Sequence, residues 1–185
     1  MSRRASVRRG LTLALTACAF AASVSAQSVL EYNVKAALLL NFARFIEWPP
    51  RAFADAASPV NVCVLAPNPF GDALERALQG ETVGHRPLAL REVRSAGDTS
   101  GCHLLFVPSG TESRAAASMR QTSTHTVTVG ETRRFEDMGG AVSFVLEGGR
   151  VRFNVNLRPV EERGVRISAR MLQLASRVDR ATPVK

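Results

Sequence analysis

From residue 60 onward, short β-branched runs closed by proline or glycine alternate with helical segments. Val60-Asn61-Val62-Cys63-Val64-Leu65 is too short and too β-branched for a helix, and prolines lie on both sides, so it reads as a buried strand. Asn68 to Asp72 then turns the chain, with Asp72 placed to cap a short helix, Ala73 to Leu78, that Gly80 closes. Residues 82–93 read as two strands around a turn at Gly84. His103 to Val107 reads as a strand, Ser113 to Gln121 as a helix and Thr124 to Val129 as a strand. Alternation of this kind predicts an α/β fold, with a mainly parallel sheet flanked by helices. The end of the chain differs. Ala141 to Leu146 and Val151 to Leu157 flank Gly148-Gly149 as a C-terminal β-hairpin, with Arg152, Asn154 and Asn156 on a wet face. A terminal helix is expected over Ile167 to Val178, with Ile167, Met171, Leu174 and Val178 as its apolar stripe.

Ahead of this core lies EYNVKAALLLNFARFIEWPP, residues 31–50, a helix stopped by Pro49-Pro50. Val34, Leu38, Phe42 and Phe45 have the spacing of a core face. Ala37, Leu40 and Trp48 form a second stripe beside Arg44. A surface helix needs one stripe, so the second is either buried by the fold itself or a surface for a partner.

The N-terminus points to export. Arg3, Arg4, Arg8 and Arg9 precede an apolar run from Leu11 to Ala22, and Val24-Ser25-Ala26 supplies small residues for cleavage after Ala26. Residues 1–26 therefore read as a secretory signal and residues 27–185 as one domain. Leu15-Thr16-Ala17-Cys18 fits a lipoprotein pattern, but the apolar run before Cys18 is short and continues past it. The Arg8-Arg9 pair lacks the surroundings of a twin-arginine signal. The remaining chain, roughly 160 residues, is enough for one real core, and its localisation is expected to be the periplasm.

Charge is segregated once the signal is set aside. Residues 27–149 carry 11 basic and 13 acidic side chains, whereas residues 150–185 carry nine basic and three acidic. In an exported protein this C-terminal excess suits an acidic protein surface or anionic head groups better than nucleic acid. The bland alternative is a solvated arginine-rich face.

Nothing in the sequence supports catalysis. There is no glycine-rich nucleotide or phosphate loop, and Ser109 lacks the glycine pattern of a hydrolase elbow. His85, His103 and His125 stand apart and outside metal-binding motifs, while Glu161-Glu162 at a helix start complements the helix dipole. No cofactor or metal is expected. Export leaves Cys63 and Cys102 in an oxidising compartment. A bridge between them would close a loop of about 40 residues, for roughly 4 kcal/mol in the chain-entropy model. The alternative is two buried thiols acting as small hydrophobes.

The chain resembles the YfiR family of periplasmic proteins. The resemblance is carried by EYNVKAALLLNFARFIEWPP, VNVCVLAPNPFGDAL, GCHLLFVPS, GGAVSFVLEGGRVRFNVNL and GVRISARMLQLAS, in the family's order and spacing. It implies a non-enzymatic inhibitor that binds the periplasmic sensor part of a membrane-bound diguanylate cyclase. Cyclic di-GMP then stays low until envelope or redox stress releases the restraint. Cys63 and Cys102 match the family's cysteine pair, whereas a second pair known near the hairpin is missing here. Leu40, Arg44, Trp48, Arg150 and Arg152 are the interface candidates, for the cyclase or for a homodimer. A reading from another class is a small-molecule sensor with a pocket at the strand ends.

Overall fold

A computed structural model describes residues 27–121 and 125–180. The expected signal, its cleavage site, Cys18 and the expected strand start at Thr124 lie outside the described residues. Helix α1 covers residues 27–45 and runs into a two-residue strand, β1 (Ile46–Glu47). The core elements then follow as β2 (Val60–Leu65), α2 (Ala73–Leu78), β3 (Thr82–Val83), β4 (Arg86–Val93), β5 (Leu104–Val107), α3 (Glu112–Gln121) and β6 (Val127–Gly130). After them come α4 (Arg133–Asp137), β7 (Val142–Glu147), β8 (Arg150–Asn156), α5 (Arg158–Glu161), β9 (Arg166–Ile167), α6 (Ala169–Leu174) and β10 (Arg177–Asp179).

Eight strands form one sheet in the order β10-β8-β7-β6-β5-β2-β4-β3. The run β4, β2, β5, β6, β7 is parallel throughout, and β3 and β8 pair antiparallel at its two ends. The first strand of the wind thus sits inside the sheet, as in doubly wound folds. Alternation along β2 separates two cores. Val62 and Val64 face Leu39, Phe42, Leu74 and Met171, so α1, α2 and α6 cover one side. Cys63 and Leu65 face Ala115 and Phe135, placing α3 and α4 on the other. Apolar side chains on both faces are what a strand covered on both sides requires.

Cys63 and Cys102 form a disulfide with Cα atoms 5.8 Å apart. It ties the middle of β2 to a residue two positions before β5, because these strands are neighbours.

Three expectations change. The core face of α1 is Lys35, Ala36, Leu39, Phe42 and Ala43, continued by Ile46 of β1, whereas Val34 is 40% exposed. Lys35 turns inward because acidic partners receive it, and this rotates the stripe away from Val34. The terminal helix ends at Leu174 and the chain re-enters the sheet as β10, parallel to β8. The outer side of β8 offers unpaired backbone groups, and Ser176 N–H takes the Phe153 carbonyl at 2.8 Å. Leu174 is consequently left 62% exposed. Finally, the Asp72 side chain makes no cap bond to α2 and pairs with Arg76 instead.

Candidate interaction surface

The parallel strands give the molecule two ends, and α1 runs between them. At the carboxyl ends of β5 and β6, one carboxylate gathers three elements. Glu131 follows β6, and its Oε1 accepts from Tyr32 Oη at 3.1 Å and from Ser109 N–H at 2.8 Å. Its Oε2 lies 2.5 Å from Lys35 Nζ, which also pairs with Glu31 one helical turn earlier. Lys35 and Glu131 side chains are each 5% exposed. Burial, reinforced by the Glu131 charge, pushes the Tyr32 phenol up, so it remains a donor. Glu131 was not singled out in the sequence. The Glu31-Lys35 spacing was the only trace of the network.

Beside this staple is a cleft of about 310 Å³, bounded by Glu31, Lys35, Glu131, Thr132 and Arg133 on one side and by Phe144, Val145 and Leu146 of β7 on the other. Its far wall is Glu136, Asn154 and Arg177. Arg177 Nη2 lies 3.2 Å from Glu136 Oε2, and Asn154 Nδ2 donates to Glu136 Oε1 at 2.9 Å. The wet face expected on β8 is therefore open at Arg152 and half-open at Asn156, whereas Asn154 is covered by α4.

At the opposite end, Trp48 Nε1 donates to the His125 carbonyl at 3.1 Å and the indole meets His103 edge-on at 5.7 Å. His103 stacks on Phe53, accepts from Asn61 N–H at Nδ1 (3.0 Å) and faces the Ala52 carbonyl with Nε2 (3.2 Å). Those partners define a neutral ring protonated at Nε2, and burial holds its pKa below the ordinary value. A shallower cleft of about 510 Å³ opens here between Trp48-Pro49-Pro50 and the Gly164-Val165-Arg166 segment.

The five interface candidates fall into two groups. Leu40 is half-buried against the core, Arg44 is exposed and paired with Glu81, and Trp48 is half-buried. Of the second stripe, Leu40 and Trp48 are thus partly covered by the fold, whereas Ala37 is exposed. Arg150 and Arg152 lie exposed on the hairpin, near the first cleft, with no ion pair among the described residues. Lys35 and Trp48 are 13 positions apart along the chain, on the order of 20 Å at helical rise, so the groups belong to separate surfaces. The most exposed large apolar side chains of α1 lie at its start, where Val29 and Leu30 are 62% and 65% exposed.

Among the described residues, no group of three or more His, Cys, Asp or Glu side chains is placed to hold a metal ion. No helix of the described residues is long and apolar enough to cross a membrane.

A family model described as YfiR/HmsC-like matches residues 32–176. No curated protein matches the chain. Among solved structures, it is similar to a conserved domain protein of Vibrio cholerae O1 biovar El Tor, with TM-score 0.47, 10% identity and coverage of 70% of this chain and 57% of that one. It is also similar to an ABC domain from Streptococcus pneumonia, solved in complex with L-Trp, with TM-score 0.46, 11% identity and coverage of 69% and 57%. The chain thus spans less than two thirds of either structure's length.

Proposed function

Because the chain belongs to the YfiR/HmsC-like family, we propose that it is a periplasmic regulatory protein that binds the periplasmic sensor part of a membrane-bound diguanylate cyclase and restrains cyclic di-GMP synthesis. The observation that carries this reading is the family match, which spans nearly the whole described chain, from 32 to 176. The secretory pattern of residues 1–26 puts the protein where such a sensor part is reached. Arg150 and Arg152, which make no ion pair among the described residues, lie beside exposed Leu146 and combine the charged and apolar contacts that interfaces use. Inhibition requires that the protein prefer one conformation of the cyclase, since equal affinity for both shifts nothing. A small-molecule sensor has less support, because the charged walls of the 310 Å³ cleft largely satisfy one another.

Release is assigned to events at the partner surface rather than to the Cys63–Cys102 bridge. Both cysteines are buried, at 0% and 1% exposure, away from attacking thiols.

The deciding experiment deletes the gene and measures cellular cyclic di-GMP while the membrane cyclases are expressed. A rise, reversed by the wild-type gene, is expected; an unchanged level would sink the proposal. Charge reversal of Arg150 and Arg152 together should weaken binding and flatten its loss on adding salt, because the screened attraction has been removed. Unaltered binding would remove the arginines from the interface.

A further inference from the structure

The hairpin outruns its neighbours. β6 pairs with β7 only at Val142 and Ser143, whereas the β7–β8 ladder continues to Glu147 and Arg150. Four residues of β7, Phe144–Glu147, extend beyond the last β6 pair, about 13 Å of strand at 3.3 Å per residue. The direction of their backbone groups follows from the ladder. Asn156 N–H donates to the Ala141 carbonyl at 2.8 Å, so residues 141, 143, 145 and 147 face β8. Leu146 consequently points its N–H and C=O the other way, into the 310 Å³ cleft, where no strand of the described residues meets them. Its side chain is 60% exposed. Gly148 and Gly149, with φ of 58° and 72°, make the tight turn that holds this edge in register.

Resting on the regulatory reading above, we infer that this free edge of β7 is a strand-addition site for an extended acidic segment of the partner protein. Backbone pairing along Leu146 supplies affinity, as when peptides extend an exposed sheet edge. Charge supplies the choice of occupant. Arg133, on the cleft wall, and Arg152, opposite Val145 on the ladder, are both exposed and make no ion pair among the described residues. Arg150 adds a third cation at the turn. A second copy of this chain fits poorly. A twofold pairing of β7 with β7 places the same patch on both sides and sets these arginines against one another. An acidic strand places carboxylates there instead.

The test complements the deletion strain with wild type, Leu146→Pro or Arg133→Glu/Arg152→Glu, and reads cyclic di-GMP at matched levels of oxidised exported protein. Proline at 146 removes only the edge-facing donor and leaves the β7–β8 bonds intact. Loss of that one bond should weaken the complex about tenfold, so both variants should leave most of the deletion's rise in place. The arginine double variant keeps the test open if the proline prevents folding. Full restoration by both variants overturns strand addition while leaving the regulatory function standing. No rise on deletion overturns the regulatory function, and strand addition with it. A purified dimer that Leu146→Pro dissociates also overturns the inference, in favour of a second copy as occupant.

Discussion

Glu131 is a buried carboxylate whose oxygens are committed to Lys35, Tyr32 and the Ser109 amide. A buried pair is poor evidence of net stability, yet removing one member strands the other charge. Lys35→Met or Glu131→Gln alone should therefore cost about 3–5 kcal/mol, and the double variant less than the sum. Urea unfolding of the four proteins measures that coupling. His103 gives a pH dependence of definite sign. Its folded pKa is lowered from 6.5 by burial, so the unfolded chain takes up its proton first on acidification. The stability it contributes is present above about pH 6.5 and is lost as pH falls through the lower folded value. Unfolding curves between pH 7.5 and 5 should show a shallower loss for His103→Gln than for wild type; parallel curves would refute the assignment.

Among the elements, α4 shows how packing decides what composition leaves open. It is five residues long and was not anticipated from the sequence, yet Thr132 caps it through the Phe135 amide and Phe135 is wholly buried. The ring sits over Gly130 and Gly140, and a methyl group at either would fall within it. Gly140→Ala should thus displace α4 at a cost of about 1–3 kcal/mol, read as a drop in melting temperature. The same helix brings Glu136 to Asn154 and Arg177, and so forms one wall of the cleft. β10 was missed for a complementary reason. Residues 167, 171, 174 and 178 do have helical spacing, but the unpaired side of β8 competes for the backbone, and the chain breaks into α6 and β10.

Across the whole molecule, the disulfide and the two ends matter most. The bridge joins adjacent strands across 39 positions of sequence. Cys63→Ala/Cys102→Ala should lose roughly 4 kcal/mol if the entropy of the unfolded chain dominates, measured by denaturant unfolding of oxidised wild type against the variant. A negligible loss would mean that the buried pair acts only as packed apolar volume. α1 spans the distance between the Trp48 end and the Glu131 end, which keeps the two surfaces apart. Partner contact at the hairpin and adjustment near Trp48 are then separable by mutation.

By itself, the sequence determined the parallel α/β core. Val60 to Leu65 and Ala73 to Leu78 have the bounds the structure gives them, and the glycine hairpin lies where expected. These features are local, because a β-branched run between prolines or a glycine pair in a turn restricts its own backbone wherever it is placed. The sequence left open whether Cys63 and Cys102 pair or stay as buried thiols, and the neighbouring placement of β2 and β5 brings them together as a disulfide. Only the tertiary structure decided which side of α1 faces inward, because Lys35 can be buried only once Glu131, 96 positions away, is beside it. It also decided that Leu40 and Trp48 are partly covered while Leu146 and Arg152 are open. Exposure at Leu146 depends on where β6 stops relative to β7, a register between strands that no local pattern encodes.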